Sequence, residues 1–361
     1  MSQAFAATAS AHAPLRVSVL DQTPVAEGST GAAALRNTID LARLTESLGY
    51  HRYWVAEHHG SPMLAGPSPE VLISAIASAT SRMRIGSGGV MLPHYSALKV
   101  AENFSALAGL FGDRIDLGLG RAAGTDPETA FALQRDRRKR SPDDFPQQLE
   151  ELLGYLYDRL PREHPFRRLA ALPGMPERPE PWLLGSSHQS AMWAAELGLP
   201  YAFADFINPA GAEIAALYRD QFAPSAELAA PRVVVAVSAI TANTSDEAQR
   251  LASSMRMAIT MLRAGSSIAI PTVETALDFL ESHPAPQTLP MGRRAIVGAP
   301  DAVRSGLEAV AREYGADEVM VVTITHDHEA RRHSYELMAE AFELGSASTL
   351  AGQWGAVSSI S

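Results

Sequence analysis

Residues 84–121 read RIGSGGVMLPHYSALKVAENFSALAGLFGDRIDLGLGR, and the order of patterns in this stretch decides the fold. Arg84–Leu92 is a short apolar run, the mark of a strand, although Gly86, Gly88 and Gly89 interrupt it. Leu98–Phe111 has helical spacing, and Arg114–Leu119 is a second short apolar run. Strand, helix, strand in that order is a parallel pair joined by a crossover.

The same unit repeats outward. Upstream lie a strand at Leu15–Leu20, a helix from Gly31 to Gly49, a strand at Arg52–Ala56 and a helix at Pro69–Ala79. The first of these helices carries Leu35, Ile39, Ala42 and Leu44 on one face and has Gly49 as its stop. Downstream come a charged segment from Arg135 to Pro146, a helix at Gln147–Leu160, and a Pro- and Arg-rich surface excursion over Pro161–Pro181. Strand five is Trp182–Leu184, followed by the helix Gln189–Leu197, strand six at Tyr201–Ala204 and the helix Pro209–Phe222. Val233–Ile240 is a β-branched strand seven, followed by the helix Ser245–Leu262. From Arg263 to Arg294 the alternation breaks, and only Val273–Leu280 looks helical; this reads as an insertion after strand seven. The helix Ala302–Tyr314, strand eight at Glu318–Thr323 and the helix Glu329–Phe342 close the pattern. Eight strands alternating with helices predict an α/β fold with a parallel sheet covered on both faces. Eight units can close into a barrel; an open doubly wound sheet gives the same alternation.

The 361 residues are 46% hydrophobic and 19% charged, an ordinary globular balance, and a barrel of this length needs no second domain. The reading is one barrel over residues 15–342, a disordered Ala/Ser-rich leader over 1–14, and a small polar tail over 343–361 anchored only by Trp354. The leader lacks the basic cluster and apolar stretch of a signal peptide, so the expected location is cytoplasmic. The net charge of −10 argues against nucleic acid as a partner, which needs a concentrated positive surface, and no apolar run approaches the ~20 residues that span a bilayer. With no cysteine, disulfides, thiolate metal sites and a cysteine nucleophile are excluded.

Polar residues collect just after the strands: Asp21-Gln22, Glu57-His58-His59, Pro93-His94, Gly120-Arg121, Gly185-Ser186-Ser187-His188, Asp205 with Asn208, Asn243, and His326-Asp327-His328. In a β/α barrel these positions share the rim where active sites are built. Gly185-Ser186-Ser187 opens a helix. Its serines can cap that helix, or its free N–H groups and the positive end of the helix dipole can receive an anion. Arg121, one strand earlier in a glycine-rich turn, can grip a phosphate with two bonds and would lie beside Ser187 and Ser190. A metal at His58 and His59 is disfavoured, because adjacent residues of an extended strand point to opposite sides. His326 and His328 can be ligands or a solvated loop.

These motifs together resemble the bacterial luciferase-like flavin-dependent monooxygenases. The resemblance is carried by Glu57-His58-His59, Ile85–His94, Ala101-Glu102, Gly112–Arg121, Leu184–Ser187, Trp193–Pro200 and Gly315–Val321, and it spans roughly Leu15 to Phe342. It implies an eight-stranded parallel β/α (TIM) barrel binding FMN at the strand C-termini. The flavin phosphate would be held near Arg121, Ser186, Ser187 and Ser190, and a non-prolyl cis peptide at Gly88-Gly89 would lie under the flavin ring. His58 matches the family's catalytic histidine. The implied reaction uses reduced FMN, supplied by a separate flavin reductase, with O2 and a small organic substrate such as an aldehyde. The protein provides a dry pocket, orientation and a proton role placed on His58. Gly120 stands where the luciferases proper carry a cysteine, so flavin binding is implied and light emission is not. Relatives of this barrel also transfer hydride with a deazaflavin; a flavin-binding protein without turnover and a metal-dependent hydrolase are the other readings. The resemblance further implies a homodimer, for which the helices Pro69–Ala79 and Leu98–Phe111 are apolar enough, and an insertion at 263–294 that orders over the flavin.

Overall fold

The computed structural model describes residues 14–121, 125–134, 137–138, 144–169, 171–283 and 294–345. The expected leader (save Pro14), Trp354 with most of the tail, and residues 284–293 of the insertion lie outside the described residues.

Strands and helices alternate as β1 (Arg16–Asp21), α1 (Gly31–Leu48), β2 (Arg52–Val55), α2 (Pro69–Ala79), β3 (Arg84–Met91), α3 (Ala97–Phe111) and β4 (Ile115–Gly120). Then come α4 (Pro127–Leu133), α5 (Phe145–Leu156), β5 (Glu180–Gly185), α6 (His188–Glu196), β6 (Tyr201–Ala204), α7 (Ala212–Asp220) and β7 (Val233–Thr241). The chain continues with α8 (Ser245–Arg263), α9 (Val273–Ser282), β8 (Ala295–Gly298), α10 (Pro300–Tyr314), β9 (Glu318–Val322) and α11 (His328–Ala341). The order β6-β5-β4-β3-β2-β1-β9-β7, closed by a β6–β7 pairing, makes an eight-stranded parallel barrel rather than an open sheet. The expected strand eight is therefore β9.

β8 is an addition that the sequence reading did not contain. It pairs with the second half of β7, Ser238–Thr241, where the short β6 has already ended at its pairing with Ala236. Seen this way, β8 occupies the unpaired edge left by a nine-residue strand beside a four-residue one. α4 is also new. Asp126 caps it through the N–H groups of Glu128 and Thr129, and Pro127 occupies the first turn, where a missing N–H costs nothing.

Side-chain alternation sorts each strand into two layers. On β1 and β2, Val17, Val19, Tyr53 and Val55 face the helices and join the larger core, whereas Leu20 and Trp54 face the barrel axis. Inside the barrel, Trp54, Trp182, Ala202, Val234, Ala236 and Met320 form the second core. Its N-terminal end is plugged by ions. Arg52 donates through Nε to Glu318 (2.7 Å) and through Nη1 to Asp116 (2.8 Å), and Arg84 Nε meets the other Asp116 oxygen at 2.9 Å. Glu180 pairs with Arg232, and Trp54 Nε1 donates to Asp116 at 2.8 Å. Burial would raise the pKa of Asp116, but Arg84 and Arg52 hold it well below the usual carboxylate range. With that end filled, the opposite end is left for a ligand.

Candidate active site

The C-terminal ends of the strands surround a cavity of about 690 Å³. His58, Gly88, Gly89, Arg121, Ser186, Ser187 and Ser190 all line it. Gln22, His59, Gly120 and Gly185 line it as well, whereas Asp21, Asp205, His326 and His328 do not. Asp21 follows the helix-facing parity of Val17 and Val19; it is buried against Arg331 (2.7 Å) and accepts from Thr38 Oγ1 (2.8 Å). Asp205 is held by Arg294 and the Tyr314 hydroxyl, His328 by Asp40, and His326 lies against the Glu27 carbonyl. Among the described residues no group of three or more His, Asp or Glu is arranged to hold a metal ion.

Both histidines beyond β2 line the cavity, and their hydrogen bonds separate their roles. His58 shares the inward parity of Trp54 and Ala56 and lines the cavity with them. Its main-chain N–H donates to the Gly66 carbonyl (2.9 Å), which fixes the backbone, while its Nδ1 is buried with no hydrogen-bond partner. Burial, reinforced by the neighbouring His59, pulls the imidazole pKa down to about 4, so the ring is neutral near pH 7. His59 is tied instead to Glu57, with Nε2 2.7 Å from Oε1. Glu57 is fully buried and also accepts from the Met91 N–H (2.9 Å) and the Tyr95 hydroxyl (3.0 Å), joining the ends of β2 and β3.

The floor of the cavity is backbone. The β3–β4 ladder shifts register between Ser87 and Val90, one extra residue on β3, and the Gly88-Gly89 peptide within this bulge is cis. A Cβ on Gly88 would lie 2.5 Å from Leu20 Cδ1, and one on Gly89 would lie 2.8 Å from the Gly118 carbonyl oxygen. No side chain fits, so a flat group can approach the peptide directly.

The third part is the start of α6. Ser187 is its N-cap: the Ser190 N–H donates to Ser187 Oγ (3.3 Å), and Ser190 Oγ reaches back to the Ser187 N–H, completing a capping box. Ser190 Oγ also lies 2.9 Å from the Tyr201 hydroxyl, and Asn208 Nδ2 donates to the Ser186 carbonyl at 3.2 Å. The capping reading therefore holds, and it presents the helix N-terminus to the cavity. Arg121 places its guanidinium 5.5 Å from the centre of the Trp193 ring, within reach of the same end. Trp193, Tyr201 and the α8 residues Met255, Ile259 and Leu262 were not singled out as site residues in the sequence; the first two stand inside helix and strand patterns that look purely structural, and the α8 set sits at i, i+4, i+7, a spacing that also describes an ordinary core face.

A side-chain-free floor, a neutral imidazole in the wall and a helix N-terminus beside an arginine, opening off one apolar cavity, define a barrel enzyme that holds a planar cofactor with an anionic tail. The family model described as luciferase-like monooxygenase matches residues 15–318, and the chain belongs to this family of FMN-dependent monooxygenases. YwcH of Bacillus subtilis (strain 168) is 46% identical over 90% of this chain and 98% of its own length. N-acetyl-S-alkylcysteine monooxygenase of the same organism is 35% identical over 91% of this chain and 98% of its own. The crystal structure of apo-MsnO8 superposes with a TM-score of 0.84 at 43% identity, covering 92% of this chain and 99% of that one.

Proposed function

We propose that this enzyme uses reduced FMN and O2 to oxygenate a small organic substrate, with the FMN phosphate at Arg121, Ser186, Ser187 and Ser190, the flavin ring over Gly88-Gly89, and His58 as the proton-handling group. One observation carries the reading: a single cavity has an anion-ready end at α6, a floor without side chains at β3, and the neutral His58 imidazole in its wall. Bound reduced FMN supplies the electrons and activates O2. The chain supplies everything else. The α6 N–H groups and Arg121 neutralise the phosphate. Leu184, Trp54 and Met320 keep water from the ring, and neutral His58 can accept or return one proton at its imidazole. A separate reductase, in the same cytoplasmic compartment, delivers the reduced flavin. A second copy packs against α2 and α3, where Val71 (66%) and Leu110 (72%) are exposed. Among the described residues no helix is long and apolar enough to cross a membrane.

The test pairs FMN binding with turnover. FMN reduced by an added reductase is mixed with protein, O2 and a panel of aldehydes and thioethers, the latter suggested by the relative that acts on N-acetyl-S-alkylcysteine. Incorporation of one oxygen atom from labelled O2 is expected. His58→Ala should bind FMN and release H2O2 without product. Full product formation in that variant would overturn the role of His58, and failure of the wild type to bind FMN would overturn the cofactor site.

A further inference from the structure

The proposed cofactor residues lie in β3 and just after β4 and β5, so they occupy one side of the barrel. In the closed ring of eight, β7 is four strands from β3 in either direction. The helix that follows β7 therefore faces the proposed flavin ring across the cavity. This helix, α8, directs Met255, Ile259 and Leu262 into it, at the i, i+4, i+7 spacing of a single stripe. Met63 and Leu64 after β2 and Phe206 after β6 flank the stripe.

Two features of this wall bear on chemistry. Among the described lining residues the only charged side chains are Arg121 and Asp126, and both follow β4, on the cofactor side. Asp126 is already engaged in capping α4. A carboxylate placed against α8 would be desolvated without a counter-ion. The polar feature on the α8 side is a hydroxyl pair: Ser61 Oγ lies 3.3 Å from Ser267 Oγ, and Ser61 Oγ accepts from the Met63 N–H. Two hydroxyls carry two protons, and the contact between them uses one; the other is left to donate to an oxygen in the cavity.

We propose that the α8 wall is the substrate subsite of this enzyme and that it selects an uncharged, largely apolar molecule with one hydrogen-bond acceptor. Met255, Ile259 and Leu262 set the size of the molecule, and Ser61 with Ser267 receive its acceptor. This assignment rests on the cofactor placement proposed above.

The test is equilibrium binding, read by the fluorescence of Trp54 and Trp193, which line the cavity. The probes are 2-decanone and decanoate, matched in length, at pH 8, with the protein both FMN-free and FMN-loaded. Wild type should bind the ketone at least about ten-fold more tightly than the carboxylate, the lower end of what leaving a buried charged group without a partner costs. Ile259→Lys puts an ammonium on the wall and should move the ratio toward decanoate by a similar factor. Ile259→Ala should shift the best 2-alkanone to a longer chain, by about ten-fold in relative affinity per fitted methylene. Equal binding of the two probes by wild type overturns the proposal. So does an unmoved ratio in Ile259→Lys with its thermal midpoint unchanged, or an unmoved chain-length optimum in Ile259→Ala. Wild type that binds no FMN would refute the cofactor reading, while the ratios on the FMN-free protein would still be measured.

Discussion

A neutral His58 has a consequence for stability that isolates this residue from every other titrating group. In the unfolded chain its imidazole protonates at the ordinary value of 6.5; in the folded protein burial and His59 delay protonation to about 4. Between these values the unfolded state binds more protons, so folding loses free energy as the pH falls. The contribution is intact above 6.5, and the loss is complete only below the folded value. Integrating the two titration curves from pH 7 to pH 5 gives a loss of about 2 kcal/mol from this one side chain. His51, also driven to about 4 by its burial, adds to the acid sensitivity of the whole protein, and the carboxylates add their own terms. These are shared by wild type and His58→Asn and cancel in the difference between them. Urea unfolding of both FMN-free proteins at pH 7 and pH 5 should therefore show the variant losing about 2 kcal/mol less than wild type over the interval. Parallel losses, within about 0.5 kcal/mol, would mean that His58 protonates normally when folded. The imidazole would then be largely charged at pH 6, and its proposed part as a neutral proton acceptor would fall.

Three further outcomes follow from contacts in the structure. Gly89→Ala drives a methyl group to 2.8 Å from a backbone oxygen and 3.0 Å from Leu184 Cδ2; overpacking of about 1–3 kcal/mol and at least a ten-fold weaker FMN titration are expected, and wild-type values of both would refute the tight floor. Arg52→Met leaves Asp116 and Glu318 buried without their shared cation, so chemical denaturation should report a loss of about 3–5 kcal/mol while FMN affinity stays within two-fold of wild type. Glu57→Gln offers an amide N–H2 to a position that now receives N–H and O–H donors; a stability loss of about 1–3 kcal/mol is expected, with a fall in product yield at unchanged FMN binding, and an unaltered yield would show that His59 needs no orienting carboxylate.

The barrel was legible because its strands are buried on both faces and so appear as continuous apolar runs between helices. The closed ring was not: eight alternating units suit an open sheet as well, and the family likeness, not the pattern, favoured closure. β8 escaped because AIVG is only four residues long, wedged between the insertion that ends at Arg294 and a helix opening at Pro300, and it was assigned to no element. α4 carried a readable signal in Asp126-Pro127-Glu128, an N-cap followed by a first-turn proline and acid. Strand parity was available for Asp21 as well, since Val17, Val19 and Asp21 alternate away from the axis. For the site, residue types at the strand ends located His58, Arg121 and the α6 start. The wall formed by Met255, Ile259 and Leu262 was illegible, because an apolar stripe on a helix looks the same whether it packs on a strand or faces an empty cavity.

The two ends of the barrel are linked through β2. Its inward positions run Arg52, Trp54, Ala56 and, beyond the strand, His58, a passage from a buried cation to a neutral imidazole along one line of side chains. Each step restricts the next. Arg52 needs Asp116 and Glu318, so acidic groups on β4 and β9 point inward at the bottom. Asp116 then binds Trp54 Nε1, which fixes that indole edge-on to Trp182 with ring centres 5.4 Å apart. The indole pair caps the ions and presents apolar surface upward. Above it, small residues such as Ala56, Ala202 and Ala236 leave room that a second layer of large side chains would fill. An unsolvated imidazole at His58 is stable only in such a place, close to apolar surface and shielded from the charges two layers below. The ion plug thus gathers the formal charges of the axis at the bottom of the barrel, while burial and the neighbouring His59 hold His58 neutral at the other end.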